Sequence, residues 1–319
     1  MITRDIQLAV DSLDRNDVVG MPTETVYGLA GNAFSEQAVR RIFEVKQRPA
    51  YNPLIVHING VADLNVVASD IPEEAVILAR HFWPGPLTVV LKKKSCIPDL
   101  VTAGKATVAV RAPDHPVAQE LLRRTSYPLA APSANPFGTI SPTSAAHVER
   151  YFGDTIPCVL DGGTCRRGIE STIVGFGDDG RPVILRLGSI TPGEIEEVAG
   201  HVTIRNNAMA APDAPGMLSR HYSPKTELII TSNPEMTLDM YAGRKVGLLT
   251  FSERVPDRPG LIQVVLSDKG DMNEAAAALY AALHDLDQLS ADIIVTSLLP
   301  ETGLGMAIND KLRRAAEKD

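Results

Sequence analysis

Four polar segments of this chain hold residue types and spacings that could do chemistry on an anion. The first, Pro22-Thr23-Glu24-Thr25-Val26-Tyr27-Gly28-Leu29, follows an apolar run and puts hydroxyls, a carboxylate and a glycine at a strand's end, where sites on sheets tend to lie. In the second, Lys46-Gln47-Arg48-Pro49-Ala50-Tyr51-Asn52-Pro53-Leu54, the cations Lys46 and Arg48 close a helix pattern as ordinary dipole partners. Two prolines then stiffen the exit, which suits a phosphate clamp. His57 follows in mid-strand, where a histidine alone is more often a satisfied core residue. Third, Arg111 ends the apolar strand Thr107-Val-Ala-Val-Arg111 before Pro113. A buried arginine there needs an anion, either an internal carboxylate or a ligand carboxylate met by both arms of the guanidinium. Fourth are the hydroxyl-rich pieces Ala130-Ala131-Pro132-Ser133-Ala134-Asn135, Thr139-Ile140-Ser141-Pro142-Thr143 and Glu170-Ser171-Thr172-Ile173, each of which alone reads as turn chemistry. Together they supply many neutral donors and few acids. With no obvious carboxylate pair, Cys–His pair or G-x-S-x-G, the set is poor for hydrolysis and good for holding phosphates and one carboxylate.

One familiar string is rejected. Gly175-Phe-Gly177-Asp-Asp-Gly180 matches GxGxxG, but a dinucleotide fingerprint must open a helix, and Asp179-Gly180-Arg181-Pro182 leads into the strand-like VILRL as a hairpin turn. No GxxxxGK[ST] occurs, so an ATP site here is not a P-loop.

These segments need a scaffold. Helical spacing marks residues 3–15 and the run after Ser35, while VVGM (18–21), LIVHI (54–58), LTVVL (87–91), TVAV (107–110), STIVGF (171–176) and VILRL (183–187) read as strands. Several strands follow one another directly, which predicts an α+β or mixed-sheet domain over residues 1–205. Residues 206–225, rich in Pro, Ala and Gly, read as an interdomain linker. Beyond it, ELII (227–230), KVGLL (245–249), LIQVVL (261–266) and DIIVT (292–296), with helix patterns at 271–287 and 303–317, predict a small parallel α/β domain over 226–319.

The length of 319 residues favours two domains, and 44% hydrophobic with 22% charged residues is an ordinary globular balance. A net charge of −8 argues against broad binding to duplex nucleic acid. Residues 226–319 hold 15 acids and 9 bases, a net of −6, so the remaining −2 lies on residues 1–225, which would receive an anion better. Cys96, Cys158 and Cys165 show no C-x-x-C spacing, and no run of roughly 18 apolar residues occurs, so a cytoplasmic chain is expected.

In this order and spacing, PTETVYGL, K-x-R-P-x-x-N-P-L, the VR-x-P strand end, PSAN, GIESTI with LRLG, and APGMLSRHYSP before a C-terminal α/β domain resemble the YrdC-like family in its long, two-domain form, over nearly the whole chain. The resemblance implies synthesis of L-threonylcarbamoyl-AMP and pyrophosphate from L-threonine, bicarbonate and ATP. That product feeds threonylcarbamoylation of the adenosine beside the anticodon in tRNAs reading ANN codons, through a partner transferase complex. It implies an N-terminal twisted mixed sheet forming a large concave cavity and a Rossmann-like second domain. Position by position it carries over Thr25, His57, Arg111, Ala131 and Ser171 to threonine, and Arg48, Asn52, Thr107, Ser133, Ser141, Arg186 and Tyr222 to ATP, with Lys46 and Asn135 as neighbours and Lys46 and Arg48 near the phosphates. It assigns no catalytic side chain beyond positioning and charge neutralisation, and Mg2+ would travel with ATP, largely hydrated. Tyr222 is expected to bring residues 206–225 over the cavity as a lid. Other readings are an RNA-binding module, against which the low pI speaks, and a carbamoyl-transfer domain, whose usual zinc-binding partners lack counterparts here.

Overall fold

A computed structural model describes residues 1–177, 179–205 and 221–317. Residues 206–220, which hold most of the expected linker and lid, lie outside the described residues.

The β-branched runs form strands as expected, and they assemble with shorter ones into one mixed sheet. Its order is Ile2–Thr3, Val159–Leu160, Val19–Met21, Gly28–Asn32, Leu129–Ala130, Ile55–His57, Thr107–Arg111, Leu87–Lys93, Thr172–Phe176, Pro182–Arg186 and Thr203–Ile204, with Ala68–Ser69 beside Leu87–Lys93. Parallel and antiparallel pairs alternate irregularly along it. The GxGxxG string is indeed the hairpin joining the antiparallel strands Thr172–Phe176 and Pro182–Arg186, with Gly177 N–H donating to Arg181 O.

Six of these strands escaped the sequence pattern, five of two residues and one of five. Gly28–Asn32, GLAGN, has little β propensity, yet its glycines are needed for close approach: a Cβ on Gly28 would lie 3.1 Å from Ala131 Cβ, and one on Gly31 3.2 Å from Ile42 Cδ1. The helix Glu36–Lys46 thereby packs tightly onto the sheet through Val39, Ile42 and Phe43.

Neighbouring strands deliver the polar segments to one place. His57 stands in register with Arg111 on the parallel strands Ile55–His57 and Thr107–Arg111, so both side chains share one face. Gly28 bridges to Ser133, and Thr88 pairs with Ile173 just after Ser171.

The second sheet runs Leu228–Ile230, Ile293–Thr296, Val246–Thr250, Leu261–Val265, all parallel, as the alternation predicted. Helices Met272–Gln288 and Leu304–Ala316 carry its apolar face, and Leu279, Leu283 and Ile308 belong to the same buried cluster as Tyr27, Val56 and Val110 of the first sheet. Contact is close at Gly168 (φ 71°), where a Cβ would lie 2.4 Å from Ala277 Cα. Among the described residues no helix is long and apolar enough to cross a membrane.

Candidate active site

A cleft opens on the first sheet. Thr25, Arg48, His57, Arg111, Ala131, Ser133, Ser171, Arg186 and Tyr222 all line it, so nine residues assigned from the sequence come together.

At one end Arg111, 4% exposed, is held from three directions. Nε donates to Gly85 O at 3.3 Å, Nη1 to Thr25 Oγ1 at 2.9 Å, and Nη2 lies 2.7 Å from Glu24 Oε1 in a buried ion pair. The internal partner that the sequence left as an alternative is therefore present, and it leaves the guanidinium on the cavity wall with a fixed orientation. Thr25 is in turn tied to Thr23, whose hydroxyl also donates to Val26 O at 2.6 Å, a turn closed on itself as the PTET order allows. Burial and the charge of Arg111 push the His57 imidazole down to about 3, so it is neutral at working pH, and its Nδ1 has no hydrogen-bond partner among the described residues. Ala131 gives its N–H to Ile55 O, which leaves its methyl and carbonyl for a ligand.

The other end is cationic. Arg48 donates to Asn52 O at 3.1 Å and Pro53 O at 2.8 Å, so the proline-stiffened exit of its helix grips it. Arg186 donates to Ser171 O at 2.9 and 3.1 Å and to Ser171 Oγ at 3.0 Å. Burial lowers Arg48 to about 9, helped by the charge of Arg186. His221 is depressed well below its usual value, first by burial and then by Arg48, Lys46, Arg186 and Lys311. Of these cations Arg48 and Arg186 line the cleft, an end suited to an anion.

Not every assigned residue reaches the cleft. Lys46 is 1% exposed and donates to Ser133 O and Asn135 O, each at 2.5 Å, so its charge holds the PSAN loop. Asn135 closes the following turn by donating to Pro136 O and Thr139 O. Asn52 is fully buried behind Arg48, and Ser141 is fully buried with its hydroxyl on Glu170. Thr107 departs furthest. Four residues before Arg111 on one extended strand, roughly 13 Å away, it is exposed at the opposite end, paired with Lys92.

Two carboxylates that the inventory treated as incidental stand beside the cleft, correcting the picture of an acid-poor site. Glu24 faces Arg111, and Glu170 lines the cleft while accepting from Ser141 Oγ at 2.7 Å and Tyr280 Oη at 2.8 Å. Tyr280 and Lys311, from the second domain, were missed. Lys311 Nζ donates to Leu187 O at 2.8 Å and sits 5.5 Å from the Tyr222 ring, which stacks on Tyr280 at 5.5 Å. Nothing local in the sequence marks either one, because each meets the site only through the docking of the domains.

A family model described as Telomere recombination, covering the Sua5, YciO and YrdC proteins, matches residues 11–188. A second, described as Threonylcarbamoyl-AMP synthase, C-terminal domain, matches residues 190–317. A threonylcarbamoyl-AMP synthase of Pyrococcus abyssi is 41% identical over 98% of this chain and 94% of its own. One of Bacillus subtilis is 40% identical over the same shares. The crystal structure of P. abyssi Sua5 complexed with L-threonine superposes with a TM-score of 0.91 at 41% identity, over 98% of this chain and 94% of that one.

Proposed function

This chain belongs to the Sua5/YciO/YrdC family in its two-domain, threonylcarbamoyl-AMP synthase form, and we propose from that premise that it condenses L-threonine, bicarbonate and ATP into L-threonylcarbamoyl-AMP and pyrophosphate. The observation that carries the reading is the polarity of one cleft: an oriented arginine for a carboxylate at one end and the buried cations Arg48 and Arg186 at the other.

Bicarbonate takes up a proton and loses water to give CO2, the threonine ammonium releases two protons to solvent as its nitrogen adds to that carbon, and an oxygen of the resulting carbamate attacks the α-phosphorus as the bond to the β-phosphate breaks and pyrophosphate leaves. Such a transfer needs positioning and charge neutralisation rather than a protein nucleophile. Arg111, held by Thr25 and Glu24, would anchor the substrate carboxylate, with the neutral His57, Ala131 and Ser171 shaping its pocket. Arg48 and Arg186 would face the phosphates, with Ser133 and Tyr222 beside the nucleotide. Mg2+ bound to ATP would neutralise phosphate charge. Glu24 is taken up by Arg111 and Glu170 by Ser141 and Tyr280, which fits a hydrated ion held by the phosphates more than by protein carboxylates.

The product, a reactive mixed anhydride, would be consumed in the cytoplasm by a transferase acting on the adenosine beside the anticodon of tRNAs reading ANN codons. A chain with net charge −8 suits release of a small molecule better than stable retention of tRNA. Carbon-13 bicarbonate tests the chemistry: mass spectrometry should find one labelled carbon in an adenylate of threonylcarbamoyl mass, and an unlabelled threonyl adenylate would overturn it.

A further inference from the structure

The second domain reaches the cleft through one helix. Tyr280 and His284 stand one turn apart on Met272–Gln288, both buried, and both converge on Ser141 of the first domain. Tyr280 Oη donates to Glu170 Oε2 at 2.8 Å, and Glu170 Oε1 accepts the Ser141 hydroxyl at 2.7 Å. His284 Nε2 donates to the Ser141 carbonyl at 3.2 Å. Ser141 is thus held from its side chain and its main chain at once, and Glu170, the shared carboxylate, lines the cleft.

We propose that Tyr280 and His284 are positioning residues, through which the second domain fixes Ser141 and Glu170 on the nucleotide side of the cleft. The inference rests on the reading above, in which the cleft that Glu170 lines takes ATP, with Ser141 buried behind that carboxylate. Docking alone has no need of this arrangement. The same helix also buries Ala275, Ala276, Leu279, Leu283 and Leu286, so an apolar contact accompanies the polar one. The Tyr280 ring stacks on Tyr222 at 5.5 Å, so its hydroxyl is a separable part of the contact.

Tyr280→Phe removes that hydroxyl and keeps the ring. Steady-state pyrophosphate release should show KM for ATP rising about tenfold, the scale of one hydrogen bond to a charged acceptor, with KM for threonine changed less than about threefold. In a Ser141→Ala background the same substitution should add less than about twofold, because its route is already cut. Equal shifts in both KM values, full additivity with Ser141→Ala, or a lower melting temperature with neither KM moved would reduce Tyr280 to structural glue and overturn the proposal. Calorimetric titration of a non-hydrolysable ATP analogue, without threonine or bicarbonate, separates this from the overall reading. Analogue binding weakened about tenfold by Tyr280→Phe would support the positioning role even if the wild-type chain released no pyrophosphate, a result that would sink only the proposed reaction. A wild-type chain that fails to bind the analogue would overturn both. Should Tyr280→Phe fail to fold, the pair His284→Leu and His284→Gln carries the same test: the first should raise KM for ATP and the second, which keeps an N–H donor, should restore it. Two variants with equal kinetics would contradict the proposal.

Discussion

Arg111 shows how far one residue can be read from sequence. An arginine closing an apolar strand had to find an anion, and it does; that the anion within the protein is Glu24, 87 positions away, depends on strand pairing that no local pattern reveals. Because Gly85, Thr25 and Glu24 already occupy three directions of the guanidinium, a lysine could not keep them and also meet a ligand carboxylate. Arg111→Lys should therefore weaken threonine binding by about 1.5–3 kcal/mol and ATP binding far less, as read by calorimetry. Equal losses would make Arg111 a structural residue. Lys46 teaches the reverse lesson. Its place beside Arg48 suggested phosphate, yet the return of the PSAN loop brings two carbonyls to its ammonium. Lys46→Met should cost about 2–4 kcal/mol in urea denaturation by stranding those acceptors. A variant of unchanged stability with lost ATP affinity would restore the phosphate role.

At the scale of elements, the strands legible in sequence were those with β-branched runs, while Gly28–Asn32 and the two-residue strands exist because tertiary pairing overrides weak propensity. The segment entering the second domain, residues 221–223, is tied by its backbone. His221 N–H donates to Arg314 O and Ser223 N–H to Gly138 O, so it is stitched to both domains, with Tyr222 between them at φ 65°, a left-handed conformation unusual for a tyrosine. Tyr222 is 1% exposed and its hydroxyl has no partner among the described residues. An unpaired buried hydroxyl costs stability that a bound ligand would recover. Tyr222→Phe should leave the ligand-free melting temperature unchanged or slightly higher while weakening the ATP analogue. A lower melting temperature with unchanged affinity would mean that the residue only packs the segment.

For the whole molecule, two domains and their classes were legible from the change of periodicity and composition, whereas their interlock was not. That interlock carries a pH signature. The His147 and His284 rings meet across it with centroids 4.0 Å apart and planes tilted by 32°, their imidazoles held down to about 4 and about 3 chiefly by burial, and His57 in the cleft is likewise at about 3. Each binds a proton in the unfolded chain near pH 6.5 but not in the folded one, so stability present above that pH falls as pH drops toward 4, by up to about 1.4 kcal/mol per unit for each histidine. Melting temperatures between pH 7.5 and 4.5 should decline, and His284→Gln should flatten the slope. A flat wild-type profile would contradict buried neutral imidazoles.

The most direct measurement on the central claim is pyrophosphate release by the full chain with ATP and Mg2+, omitting threonine and bicarbonate in turn. The proposed reaction predicts release only when both are present, because its attacking oxygen would belong to a carbamate whose carboxylate end Arg111 would hold. Robust threonine-dependent release in bicarbonate-depleted buffer would contradict it.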